Sequence, residues 1–156
     1  MLINTFLVED CADIRDTLVE AMEEIAPCRF VAHANSESTA RQWLHTHPDD
    51  WQLAIVDLLL ADGSGFGVLR QCQQRRPEQK VVVLTGHSHE SIVEKCLDLG
   101  ADEVFDKSGE LEDLVEYCRA HAASLLEVKA TPPPPPAAWV VDSFPRTTDV
   151  SPSTRS

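Results

Sequence analysis

Four short apolar runs, each ended by a polar residue, restrict this chain to very few folds. Ile3-Asn4-Thr5-Phe6-Leu7-Val8 leads into Glu9-Asp10, Leu53-Ala54-Ile55-Val56 into Asp57, Val81-Val82-Val83-Leu84 into Thr85, and Val104-Phe105-Asp106 into Lys107. Runs this short, rich in β-branched residues and separated by stretches of helical periodicity, predict parallel strands covered on both faces. Open parallel sheets bind ligands at the carboxyl ends of their strands, beside the point where strand order reverses. Glu9, Asp10, Asp57, Thr85 and Lys107 are thereby predicted to meet at one sheet edge. Three carboxylates gathered this closely repel unless a hard cation lies among them, and oxygen ligands favour Mg2+ or a similar ion. The lysine amine and the threonine hydroxyl suit an added anion such as a phosphoryl group. The pattern predicts a phosphoryl-handling site.

Helical patterns separate the strands. Ile14, Leu18, Met22 and Ile25 recur at helical spacing before Pro27, and a short second strand is predicted over Phe30-Val31-Ala32. Ser36 is placed to cap a second helix that carries Ala40, Trp43 and Leu44 on one face. Val68, Leu69 and Cys72 mark a third helix stopped by Pro77, and Ile92, Val93, Cys96, Leu97 and Leu99 a fourth ended by Gly100. Leu111, Leu114, Val115, Cys118 and Leu125 mark a fifth. Strict alternation predicts an α/β, doubly wound, five-stranded parallel sheet of order 2-1-3-4-5, which sets strands one and three together at the switch point.

After Lys129 the composition changes. Pro132 to Pro136 form a polyproline spacer, and a Ser/Thr/Pro-rich end follows. Residues 1–129 are expected to fold as one domain and 130–156 to be a disordered Pro-rich tail. Within that tail Trp139 and Phe144 have the character of docking anchors. The formal net charge of −13 belongs to the folded part, because residues 131–156 carry two acids and two arginines. So acidic a surface repels nucleic-acid phosphates and suits a protein partner with a cationic rim. Five dispersed cysteines without ligand spacing point to a reduced protein, with Cys72, Cys96 and Cys118 on apolar helical stripes. No basic, apolar leader opens the sequence, and no apolar run approaches the ~20 residues of a membrane span. A cytoplasmic protein with no membrane contact is expected.

Leu7-Val8-Glu9-Asp10, Ala54-Ile55-Val56-Asp57 with Asp62-Gly63-Ser64-Gly65, Val82-Val83-Leu84-Thr85-Gly86, and Gly100-Ala101-Asp102-Glu103 ahead of Lys107 occur in one order. Over roughly Leu2 to Val128 the chain so resembles the receiver domain of bacterial two-component response regulators. Each segment alone is a weak signal; the ordered set is specific. The resemblance implies a flavodoxin-like fold in which Asp57 accepts a phosphoryl group from a phosphohistidine on a sensor histidine kinase or phosphotransfer protein. It implies Mg2+ held by Asp10, Asp57 and the Leu59 backbone carbonyl, with Glu9 acting through water. Lys107 would meet the phosphoryl oxygens, and Thr85 would hydrogen-bond them. The domain would catalyse only its own phosphorylation and dephosphorylation. Its output would be a protein contact through the face of helix four, strand five and helix five, and a stand-alone receiver without a helix-turn-helix output domain is expected.

Three positions depart from the common receiver pattern. Ser108 follows Lys107 where a proline is usual, so a trans Lys107–Ser108 bond is expected. Ala61 stands where the family often has proline, and a looser turn is expected there. Val104 occupies the place of the usual aromatic switch residue, with Phe105 on the opposite face of its strand. Leu59 and His87, two residues past Asp57 and Thr85, are expected to set the lifetime of the aspartyl phosphate. Two other readings stay open. A Mg2+-dependent aspartyl-phosphate phosphatase would want an acid two residues after its nucleophile, where this chain has Leu59; a scaffold-only receiver would not use the site at all.

Overall fold

In the computed structural model, residues 2–86, 89–107, 109 and 111–130 are described, with side chains described as far as 127. The first of the chain's two units, Met1–Leu126, contains the whole sheet. Among the described residues the elements run β1 (Ile3–Val8), α1 (Ala12–Ile25), β2 (Cys28–Ala34), α2 (Glu37–Thr46), β3 (Leu53–Val56), α3 (Gly65–Gln71), β4 (Lys80–Thr85), α4 (Glu90–Asp98), β5 (Glu103–Asp106) and α5 (Leu111–Ala130). All neighbouring strands pair in parallel, in the order β2-β1-β3-β4-β5. This is the doubly wound parallel sheet that the alternation predicts, in the flavodoxin-like order that the resemblance implies.

The two-residue period of the strands divides the core into two layers. Ile3, Leu7, Leu53, Ile55, Val82, Leu84 and Phe105 face α1 and α5, where they meet Leu18, Met22, Leu114 and Cys118. Phe6, Val8, Ala54, Val56, Val81 and Val83 face the other side, against Leu44, Val68, Leu69 and Cys96. β3 is buried at every position, which is why its sequence shows no polar alternation. Each buried Val, Leu, Ile or Phe side chain contributes roughly 1.5–3 kcal/mol by leaving water.

Helix ends follow local chemistry. The Ser36 hydroxyl accepts from the Thr39 amide at 3.2 Å, and Ser64 caps α3 by accepting from Phe66 at 3.1 Å. Gly100 takes φ +103° just past α4, and Ala101 donates back to Cys96. Four of the five free cysteines are buried, and burial pushes the Cys72 and Cys118 thiols up to about 12. No helix among the described residues is long and apolar enough to cross a membrane.

Several boundaries differ from expectation. β2 extends over Cys28–Ala34 rather than Phe30–Ala32, because backbone pairing with β1 carries it through Arg29 and His33, side chains that give no strand signal. α3 stops at Gln71, well before Pro77, and Cys72 is its cap. Ile14, Ile25, Leu97 and Leu111 keep helical spacing yet lie exposed, since each helix touches the sheet along one stripe only. Arg75 supplies a stitch that the sequence did not advertise. Its guanidinium donates to the carbonyls of Cys72, Gln79 and Gly100 and to Asp102, which also receives the Val81 amide.

His121 is a buried titratable group on α5, its Nε2 lying 2.9 Å from the Gln52 carbonyl. Burial lowers its pKa from the ordinary 6.5; Lys80 adds to the shift, while the Gln52 carbonyl and Asp102 oppose it. The folded protein binds this proton less readily than the unfolded chain does. Its share of stability is therefore intact above about pH 6.5 and declines as pH falls below that value. His121→Gln, which keeps a donor for Gln52, should flatten the pH dependence of stability between about pH 7 and 5, measured by chemical denaturation at both ends of that range. An unchanged slope would mean that other groups carry the acid sensitivity.

Candidate functional site

Strand register brings the site together. Val8 pairs with Val56, Val56 with Val83, and Thr85 with Asp106, so the residues that follow these strand ends emerge on one edge. The Asp57 amide donates to the Val8 carbonyl at 3.0 Å, and the Glu9 amide to Ala34 at 3.0 Å. The Lys107 amide donates to the Thr85 carbonyl at 2.9 Å, which fixes the chain leaving β5 against the end of β4. All five strand-end residues singled out in the sequence are thereby neighbours. Thr85 is buried at the end of β4.

Glu9 and Asp57 are only 2% and 5% exposed, and Asp10 is half-buried beside them. One carboxylate oxygen from each lies within 4.8 Å of the others. Lys107 Nζ donates to Glu9 Oε1 at 2.9 Å and to Asp57 Oδ2 at 3.0 Å. The second oxygens are also engaged. Glu9 Oε2 accepts from the Cys11 amide at 3.2 Å, and Asp57 Oδ1 from the Leu59 amide at 3.3 Å. Burial pushes the Glu9 carboxyl up, against hydrogen bonds from Lys107 and Cys11. Burial works against the Lys107 charge too, but hydrogen bonds and attraction from Glu9 and Asp57 raise its pKa overall. The Lys107 direction governs the pair, because one ammonium faces two carboxylates. The donor set is hard, oxygen-only and negative, and it fits a magnesium-like cation.

The loop from β3 to α3 lies across this edge. Leu59 bridges to Ser64, and the Gly65 amide donates to the Leu58 carbonyl at 3.0 Å, folding the loop back onto itself. Leu59 is 60% exposed, and its side chain brings no polar group to Asp57. At Ala61 the expectation of a looser turn is corrected: its amide donates to Asp10 Oδ2 at 2.7 Å, a bond that proline cannot make. Val104 is half-buried against the α4 side, while Phe105 packs in the other layer, edge-on to Tyr117 with ring centroids 5.9 Å apart. The two residues do lie on opposite faces. His87, Ser108, Trp139 and Phe144 lie outside the described residues, and with them the Lys107–Ser108 bond and the tail.

Sequence reasoning missed Glu37, at the start of α2. Its Oε1 accepts from the Ser64 amide at 2.9 Å, and its own amide donates to the Asp62 carbonyl at 3.1 Å. The glycine spacing of Gly63 and Gly67 is the one signal that something must fit against that loop.

Residues 5–119 match the family model described as the response regulator receiver domain. The photosynthetic apparatus regulatory protein RegA of Cereibacter sphaeroides is 30% identical over 130 residues, covering 83% of this chain and 65% of that protein. The response regulator UvrY of Escherichia coli is 23% identical over 119 residues, covering 76% and 54%. The chain thus spans less than two thirds of the length of these curated relatives. Among solved structures, the signal receiver domain of a Luxo repressor protein from Vibrio parahaemolyticus superposes with a TM-score of 0.69 at 22% identity, covering 85% of this chain and all of that one. A response regulator from Burkholderia pseudomallei, solved with a phosphorylated aspartic acid and a calcium ion, gives 0.63 at 20% identity, covering 82% and 73%.

Gly65 shows how tightly the β3–α3 loop is packed. A Cβ there would overlap the Asp57 carbonyl oxygen and press on the Leu58 Cα, both backbone atoms that cannot swing aside. Gly65→Ala should destabilise the protein by about 2 kcal/mol or more although alanine is the better helix former. Equilibrium denaturation of the variant checks this, and unchanged stability would show that the loop is slack.

Proposed function

We propose, for a chain that belongs to the response regulator receiver domain family, that Asp57 is the phosphoryl acceptor of a two-component system. The donor is a phosphohistidine on a sensor histidine kinase or phosphotransfer protein. Its P–N bond breaks as a bond forms between phosphorus and an Asp57 carboxylate oxygen, and the imidazole leaves with the electron pair. The observation that carries this reading is the clustering of Glu9, Asp10 and Asp57 at one sheet edge, with the Lys107 ammonium bonded to Glu9 and Asp57.

Asp10, Asp57 and the Leu59 carbonyl would hold Mg2+, with Glu9 contributing through water. When bound, the cation offsets the repulsion between Asp57 and an incoming phosphoryl group. Lys107 lies within hydrogen-bond reach of the acceptor oxygen and can follow it onto the phosphoryl oxygens. Thr85, in the adjacent strand end, offers its hydroxyl to the same group. Leu59 supplies no general acid, which supports a domain that turns over only its own aspartyl phosphate. Residues 1–129 act as the receiver domain in this reading, and 130–156 as a Pro-rich segment outside it.

The output is a changed contact with a partner protein through α4, β5 and α5. This face adjoins the β4 and β5 ends, and Leu97 of α4 is exposed. The net charge of −13 suits a partner with Lys or Arg at its rim and disfavours nucleic acid. The reading places the protein in the cytoplasm, away from membranes.

Incubated with acetyl phosphate and Mg2+, the wild-type protein should gain the mass of one phosphoryl group, and Asp57→Asn should gain none. Intact-mass spectrometry reads both. The same gain on Asp57→Asn would move the acceptor elsewhere.

A further inference from the structure

The acceptor loop is tied at two points by carboxylates from outside it. Asp10 Oδ2 takes the Ala61 amide at 2.7 Å, and Glu37 Oε1 takes the Ser64 amide at 2.9 Å. The two ties differ in kind. Asp10 belongs to the acid cluster, so a cation drawn to that cluster competes with the Ala61 amide for its charge. Glu37 is no member of the cluster, and its other oxygen, Oε2, receives Arg41 Nη1 at 3.3 Å. Its hold on the loop does not depend on what occupies the site.

The loop sequence is shaped around this side chain. A Cβ at Gly63 would overlap the Glu37 Cβ, and one at Gly67 would overlap its carboxylate. Gly63 also takes φ +89°, and its neighbour Asp62 accepts the Glu37 amide at 3.1 Å. Ser64, held by Glu37 through its amide, caps α3 with its hydroxyl. Glu37 therefore fixes both the far end of the acceptor loop and the start of the helix after it.

We propose that Glu37 is the metal-independent anchor of the acceptor loop: a positioning residue that holds Leu59 and Ala61 in place while Asp10 passes from the Ala61 amide to a cation. This rests on the cation role proposed above for Asp10 and Asp57. Without the anchor, the loop must be ordered at the expense of cation binding, and affinity falls. Loss of one charge-assisted hydrogen bond corresponds to a fall on the order of tenfold.

Mg2+ titration of the full chain followed by NMR, with amide exchange at Ser64 measured in metal-free protein, tests this. Glu37→Ala should lose Ser64 protection and bind Mg2+ on the order of tenfold more weakly, while Glu37→Gln, which keeps an acceptor for Ser64, should recover most of both. Gly67→Ala should reproduce the Glu37→Ala defect alone and add nothing in the Glu37→Ala background, because the clash is with the carboxylate. Unchanged Ser64 protection and Mg2+ affinity in Glu37→Ala would overturn the proposal, as would equal defects for Gly67→Ala in both backgrounds. Failure of the wild-type protein to bind Mg2+ would instead count against the cation role of Asp10 and Asp57, and the Ser64 exchange would still decide whether Glu37 anchors the loop.

Discussion

Two carboxylates lie almost fully buried side by side, and the architecture of this domain answers the charge that they create. Glu9 and Asp57 come from the ends of β1 and β3, which pair directly, so the sheet itself forces them together. Buried acids that close need a counter-charge. Lys107 provides it from the end of β5, 98 residues from Glu9 and 50 from Asp57 along the chain. That reach works only if β4 lies between β3 and β5 with its end level with theirs. The Thr85–Asp106 pairing and the Lys107 amide bond to the Thr85 carbonyl meet that condition. Strand order, register and site chemistry are one constraint seen at three scales.

Ordering of the loops follows from the same edge. The segment after Asp57 cannot wander, because Gly65 packs against the Asp57 carbonyl and Asp10 and Glu37 hold its amides. On the β5 side, Val104 replaces the aromatic side chain of the common pattern, and Phe105 is committed to the opposite layer with Tyr117. Position 104 therefore presents a short aliphatic side chain, not a ring, to the α4 side of the sheet.

Much of this was legible before any coordinates. The β3 and β4 runs are apolar at nearly every position because both faces are covered, and the polar residues that end the strands mark the edge where the acidic cluster gathers. Ser36 and Gly100 announced their helix ends for equally local reasons. What could not be read were contacts between loops whose meeting depends on tertiary register. Glu37 looks like any acid in a first helical turn, and only the packed structure shows it seated between Gly63 and Gly67. The Ala61 amide seemed a mere absence of proline, yet its value is the hydrogen bond to Asp10. β2 was underestimated because an edge strand can carry Arg29 and His33 while its backbone does the pairing.

In the function proposed above, Lys107 and a Mg2+-like cation would answer the same buried negative charge. Thermal or chemical unfolding of wild-type protein and Lys107→Met, with and without saturating Mg2+, tests it most directly. Without metal, Lys107→Met should be less stable by about 1–3 kcal/mol, because two buried carboxylates lose their shared partner. Mg2+ should stabilise both proteins through preferential binding to the folded state, and it should stabilise the variant more. Equal stability of the two proteins without metal, or no effect of Mg2+ on either, would contradict the account.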